Sequence, residues 1–552
     1  MGGAAIGPGR TVEHGVSEGP GGSAERGRSV RHRAETDPGG IALVDGDGAL
    51  SWAEVADVLP RLAASLLRVA GGPGERVAVL GDNASATLLA HAAGILAGVG
   101  TVATARQLRP AEMVDQFRDA GVTAVVTGVA GAPAAAEAVK TLGLRALAVH
   151  GRDDPTWSQW TTGAAATIPA ADRSARPPLV YTSGTTGRAR GTEVRWAEPP
   201  TSSSGSGSSA EEPGEFSAAE FSAAEFTAAE YAAALAAADP FPAGPHLVCG
   251  PLQHNGPLTS LRHLLAGEPV VILPSFDAGE CLRTIERHRV SSTLMVPTHF
   301  QRLLALLESE PEARERYDVS SLRSVVHTGS ACRADVKRAM IDWFGPVLVE
   351  SYGASELGTV ARISSPEWLA HPESVGRAVP PFEILVLDEH GQPCPAGVQG
   401  RIAVRAPEGR GVRYHADPEK SAKAMIAPGV YTLGDLGHLD ADGFLFVTGR
   451  ESDMVISGGV NLYPAESEVV LRRTPGVADV AVIGVPHADL GEAMLALVVA
   501  EKGRTPDLGE LERACRDALA GYKCPKAYEI VDDLPRNAMG KVDKKVLRAR
   551  YR

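Results

Sequence analysis

"YTSGTTGRARG" occupies residues 181–191 and sets three glycines, four Ser/Thr hydroxyls and two arginines within eleven positions. Glycines let backbone N–H groups approach a ligand closely, and hydroxyls and guanidinium groups add donors, so the composition suits phosphate. The common nucleotide-binding loops do not account for it. A P-loop needs a second glycine five residues after the first, followed by Lys-Ser or Lys-Thr. Five residues after Gly184 stands Ala189, and Arg190 follows. The dinucleotide pattern G-x-G-x-x-G is missing from the stretch too. Read alone, such a segment is an ordinary surface turn, and its meaning depends on what surrounds it.

Around the loop, short apolar runs alternate with helical patterns. "RVAVLGDN" (76–83) predicts a strand and a turn, "ATLLAHAAGILA" (86–97) a helix, and "GVTAVVTG" (121–128) a strand. The rhythm resumes with "PVVILP" (269–274), "AGECLRTIERHRV" (278–290) and "SSTLMVPT" (291–298). Strands alternating with helices imply an α/β fold of parallel sheets covered by helices. Beyond Arg450, "ADVAVIGVP" (478–486), "ALVVAEKG" (496–503), "LGELERACRDALAGY" (508–522) and "YEIVDDLPR" (528–536) predict a small α+β unit.

One segment breaks the rhythm. "TSSSGSGSS" (201–209) reads as a linker, and "EFSAAEFSAAEFTAAEYAAALAAA" (215–238) repeats every five residues. Five residues turn a helix by about 140° beyond one full turn, so Phe216, Phe221, Phe226 and Tyr231 do not share one face. Residues 200–234 are therefore expected to be a low-complexity insertion, partly disordered and partly helical. A tolerated surface loop and a regulatory or partner-docking segment are both open readings.

The 552 residues exceed one ordinary domain, and 44% are hydrophobic, enough for large cores. With 54 basic against 67 acidic residues the net charge is −13, which argues against nucleic acid or an anionic membrane as the main partner. Six scattered cysteines show no C-x-x-C pair and no metal-ligand spacing, as expected for a reducing compartment. Residues 1–28 lack the apolar core of a signal peptide and are expected to be a disordered leader. The most apolar stretch (86–105) is near membrane-span length, yet His91 and its small residues predict a buried helix running into a strand. A cytoplasmic protein is expected; oligomeric state is left open.

Four more motifs follow in order: "ESYGASELG" (350–358), "YTLGDLGHLDADGFLFVTGR" (431–450), "SDMVISGGVNLYPAESE" (452–468) and "LPRNAMGKVDKKVLR" (534–548). Together with the loop, they resemble the ordered motifs of the adenylate-forming enzymes: acyl-CoA synthetases, peptide-synthetase adenylation domains and luciferases. Bacterial acyl-CoA synthetases are the nearest. The resemblance runs from about residue 31 to the C-terminus and spares the leader and the insertion. It implies a large N-terminal domain of helix-covered parallel sheets (29–450) and a small mobile α+β lid (451–552).

The chemistry so implied forces a carboxylate against the α-phosphorus of ATP, so cations and backbone donors must meet the developing charge. The resemblance assigns Thr182, Ser183, Gly184, Thr185, Thr186 and Gly187 to the phosphates. It assigns Gly329, Ser330 and Ala331, with Ser351, Tyr352, Gly353, Ala354 and Ser355, to the adenine and acyl walls. Glu356 matches the carboxylate that holds Mg2+, with Thr186 as a further ligand. Asp435 matches the acceptor of the ribose hydroxyls, and Arg450 the cation beside it. Lys541 matches the lysine that reaches the α-phosphate, while its neighbours Lys544 and Lys545 are expected to be solvated. Gly458 and Gly459 match the lining of the coenzyme A tunnel once the lid rotates. Lys523 is either a CoA-phosphate contact or a plain surface lysine.

"PLQHNGP" (251–257) resembles the acyl-CoA synthetase pocket motif, with His254 as wall or gate. Asn255 stands beside it where α-amino-acid enzymes carry an aspartate, and an uncharged amide cannot pair an ammonium. A free-standing ligase for a bulky, mostly apolar acid is expected, using ATP, Mg2+ and CoA. Departures are Ala189 and Arg190 for the usual Pro-Lys, Trp196 for a histidine, and Ser452 at the hinge. Two alternatives stay open: a ligase specialised for thioester formation from a supplied adenylate, and a weakly active acyl-nucleotide binding protein.

Overall fold

The computed structural model describes residues 29–72, 74–128, 132–148, 176–182, 190–194, 227–407, 410–415, 417–457, 460–536 and 541–551. The expected leader and the part of the expected insertion up to residue 226 lie outside these.

Two helix-covered sheets carry the large domain. One has nine described strands and is parallel from Leu348–Ala354 through Ser324–His327, Ser292–Met295, His246–Val248 and Val270–Ile272 to Ile41–Asp45, with antiparallel strands at both edges. The other has six described strands and is parallel from Arg145–Ala148 to Leu179–Thr182. Its last pair is antiparallel, with Thr182 opposite Arg190, so the phosphate-like loop joins the two strands of this hairpin.

Local chemistry explains the covering helices. Trp52–Ala70 begins at a capping box: the Ser51 hydroxyl accepts from the Glu54 N–H at 3.3 Å, and the Glu54 carboxylate accepts from the Ser51 N–H at 2.7 Å. Val55, Leu59, Leu62 and Leu66 form its buried stripe. The apolar stretch 86–105 is a buried helix, Ser85–Ala97, leading into the buried strand Gly100–Ala103, as its small residues predict. Among the described residues no helix is long and apolar enough to cross a membrane. Both helices sit in one core that also takes in Val77 and Val79 from one sheet and Leu43, Val248 and Val270 from the other.

The helix Ala228–Ala237 belongs to that core. Tyr231 and Leu235 are buried in it, and the Tyr231 hydroxyl donates to the Val194 carbonyl at 3.2 Å. The expected 200–234 insertion therefore meets the packed body at residue 227, earlier than its composition indicates. Repeat-like alanine there lets the helix lie close.

A five-stranded described sheet containing Val430–Leu439 and Leu445–Arg450 completes the large domain. The small domain is a second five-stranded described sheet, with Gly491–Ala500 paired to Val477–His487 on one side and to Ala527–Val531 on the other, and the helices Pro464–Arg472 and Leu508–Ala518 covering one face. Parallel sheets in a large domain beside a small α+β unit are the expected architecture.

Candidate active site

The carboxyl ends of parallel strands form the usual ligand crevice of α/β sheets. Asp435 and Arg450 are direct cross-strand partners, and Arg450 Nε stands 3.1 Å from Asp435 Oδ1. From the neighbouring sheet the Tyr352 hydroxyl donates to Asp435 Oδ2 at 2.7 Å. Asp435 is nearly buried whereas Arg450 is 56% exposed, so the pair turns a fixed acceptor and a reachable cation toward one space. Burial, and then the Asp435 charge, push the Tyr352 phenol up, so it stays a donor at neutral pH.

Tyr352 can stand there because Gly353 follows it. A Cβ on Gly353 would lie 1.9 Å from the Gly358 carbonyl oxygen, within the tight "GASELG" turn. That turn presents Glu356, half-buried and bonded to the Tyr414 hydroxyl, whose own ionisation burial and Glu356 suppress. The Thr328 hydroxyl donates to the Ser351 carbonyl at 2.7 Å, tying two strand ends together. Gly329, Ser330 and Ala331 follow as an exposed turn, with Gly329 in the left-handed region at φ 92°. The Ser351 hydroxyl pairs with that of Thr359 at 2.7 Å, and Ala354 and Ser355 are half-buried.

Lys541 arrives from the small domain. Burial and then the Arg450 charge lower its pKa, while Asp435 opposes them, so it sits beside that pair. His254 is close enough to feel its charge. Burial and then the Lys541 charge lower the His254 pKa, which keeps the imidazole neutral, and its buried Nε2 has no hydrogen-bond partner among the described residues. Two cations and an unsatisfied imidazole around one point suit an anionic centre.

His254, Tyr352, Glu356, Asp435, Arg450 and Lys541 thus come together. Ser183, Gly184, Thr185, Thr186, Gly187, Gly458 and Gly459 lie outside the described residues, as do Ala189 and Trp196. Thr182 ends its strand beside them. Lys523 joins none of this. It pairs with Glu466 at 2.8 Å inside the small domain. Lys545 is exposed as expected, but Lys544 is not solvated: its ammonium lies 2.7 Å from the buried Glu468 and 3.8 Å from Asp453.

Sequence reasoning missed a buried cluster on the strand that carries Tyr352, two residues before it. Lys337, wholly buried, places its ammonium 2.6 Å from Glu350 and 4.6 Å from the centre of the Trp368 ring. His327 Nε2 lies 3.8 Å from the same carboxylate. A signal was present: Lys337 occupies the apolar stripe of its helix with Met340, Ile341 and Phe344.

The sequence profile of AMP-binding enzymes matches residues 30–198 and 220–411, and that of the AMP-binding enzyme C-terminal domain matches 466–541. An indoleacetate–CoA ligase of Aromatoleum aromaticum is 36% identical, but over only 53% of this chain and 57% of that one, so the chain spans about half that relative's length. A feruloyl-CoA synthase of Amycolatopsis sp is 32% identical over 94% of this chain and 97% of that enzyme. Among solved structures, ATP-bound MatB of Rhodopseudomonas palustris has a TM-score of 0.78 at 27% identity, over 95% of this chain and 99% of that one. The family profile covers more than half of the residues and a relative matches almost end to end, so the chain belongs to the AMP-binding enzyme family.

Proposed function

We propose that the chain activates a bulky, mostly apolar carboxylic acid with ATP and passes the acyl group to coenzyme A. One observation carries the reading: Lys541 of the small domain stands beside Asp435, Arg450 and His254 of the large one. A carboxylate oxygen attacks the α-phosphorus, and the bond from that phosphorus to pyrophosphate breaks. The extra charge at the phosphorus falls between Lys541 and Arg450. Asp435 accepts the ribose hydroxyls, and Tyr352 fixes the carboxylate that does so. In the second step the CoA sulfur attacks the acyl carbonyl and AMP leaves.

Magnesium fits the donor chemistry present, since Glu356 offers a hard carboxylate oxygen at the site's edge. It would neutralise phosphate charge when bound. The preference for an apolar acid is supported by the segment 293–300, "TLMVPTHF", which carries no acidic or amino side chain and whose Leu294 packs against Gly256 on the turn that carries His254. It is further supported by relatives named for indoleacetate and ferulate, both arenes bearing a carboxylate. Pyrophosphate release across a panel of fatty, arylacetic and cinnamic acids, with and without CoA, tests the proposal. Release with no acid, or only with short polar acids, would overturn it.

Lys541 and the coenzyme A tunnel assigned to Gly458 and Gly459 cannot serve one site in one pose, so the small domain has to turn between the steps. Ser452 is exposed, in the middle of the 3-10 turn Glu451–Asp453. Proline's fixed φ near about −65° is compatible with such a turn but not with large reorientation there. Ser452→Pro is expected to leave pyrophosphate release within about twofold and to slow acyl-CoA formation at least about fivefold. An unchanged overall rate would show that the turn is not the hinge.

A further inference from the structure

Asn83 lies outside the active-site cluster, yet nearly the whole hydrogen-bonding capacity of its side chain is used. Its amide nitrogen donates to the Leu273 carbonyl at 2.6 Å and to the Gly250 carbonyl at 3.2 Å, and its oxygen accepts from the Leu252 N–H at 2.9 Å. Asn83 lies three residues beyond the strand Arg76–Leu80 of the six-stranded sheet. All its partners lie just beyond two adjacent parallel strands of the nine-stranded sheet, His246–Val248 and Val270–Ile272. One amide therefore clasps the carboxyl ends of both sheets. Its own turn is anchored, because the Ser85 N–H donates to the Asp45 carboxylate at 2.6 Å.

The clasped segment is the one that carries His254. The His254 N–H closes a turn onto the Pro251 carbonyl at 3.1 Å, so the imidazole follows directly from the residues Asn83 holds. The turn packs tightly on itself, since a Cβ on Gly250 would come 2.8 Å from the Pro257 ring. A turn that is internally stiff and fixed at Gly250 and Leu252 moves as a unit. A shift at Asn83 is then delivered to the imidazole beside Lys541.

We propose that Asn83 is a positioning residue for the acid substrate, acting through His254 and resting on the reading of His254 as a wall of the acid site. Asn83→Asp tests it with nearly unchanged shape. The aspartate keeps the acceptor for Leu252 but sets an oxygen against two carbonyls, which repels the turn. In the full chain, with ferulate, indole-3-acetate and decanoate as acid probes, kcat/KM for the best acid in pyrophosphate release should fall about tenfold. KM for ATP should stay within about twofold, because Asp435 and Tyr352 are held by other strands. In a His254→Ala background the same change should cost less than about twofold, since residues acting through one another are not additive. Asn83→Ala, which removes the bonds without adding charge, carries the same cycle should the aspartate variant melt early.

Equal tenfold losses with and without His254 would overturn the proposal and leave Asn83 a general structural clasp. Unchanged acid kinetics in Asn83→Asp, with a clear defect in His254→Ala, would do the same while sparing the His254 reading. No defect in His254→Ala alone would remove that reading and the proposal with it.

Discussion

Lys541→Ala is expected to slow adenylate formation at least about a hundredfold, roughly 2.7 kcal/mol of barrier, while sparing thioester formation from a pre-made acyl-adenylate. The asymmetry follows from where the lysine stands. It is largely buried beside Arg450 and Asp435, and the burial and Arg450 that lower its pKa both raise the cost of an ammonium there. An anion at that point relieves the cost, and the pentavalent phosphorus carries more charge than the ground state. The ammonium therefore strengthens its interaction as the first reaction proceeds. In the second step the charge that develops belongs to the acyl carbonyl, and in the proposed cycle the small domain first turns away. Separate assays, pyrophosphate exchange for the first step and CoA-ester release from synthetic adenylate for the second, resolve the two. Equal losses in both, in a variant with an unchanged melting temperature, would refute the assigned role.

Much of the fold was legible because its signals are local. Strand and helix periods, the capping box at Ser51 and the small-residue texture of residues 86–105 each report on a few neighbouring positions. Part of the site was legible for a related reason. Asp435 and Arg450 share one hairpin, so their pairing is written within a single motif, and Tyr352 and Glu356 share one tight turn. What stayed hidden depends on the meeting of distant segments. Asn83 reaches residues about 170 to 190 positions away, and neither its turn nor the glycine-rich segment it holds announces the other. The Lys337–Glu350 pair joins a helix to a strand, and Lys544 finds Glu468 only after the small domain closes on itself. Tyr231 shows a different gap: the repetitive composition suggested partial helix but not that the helix would join the core and bond Val194.

Acid should begin to destabilise this protein as the pH falls below about 6.5, well above the range in which ordinary carboxylates titrate. Four histidines are buried without charge. Burial holds His91 down at about 3 and His299 at about 4, the latter helped by Arg302. Burial also holds His246 and His327 well below the usual imidazole value, helped by His263 and Lys337 respectively. In the unfolded chain each returns to about 6.5. Native values depressed below unfolded ones mean that stability is intact above about pH 6.5 and declines as the pH falls toward the native values, because the unfolded chain takes up the protons. At pH 5 His91 and His299 each contribute a loss of roughly 2 kcal/mol, and His246 and His327 act in the same direction. Chemical denaturation at pH 7, 6 and 5 measures the slope directly. His91, whose Nδ1 lies 2.8 Å from the Thr101 hydroxyl, supplies the control. His91→Gln should lower stability at pH 7 yet remove roughly 2 kcal/mol of the further loss on going to pH 5. A midpoint that does not move between pH 7 and pH 5 would show that these rings are not the neutral buried groups their surroundings require.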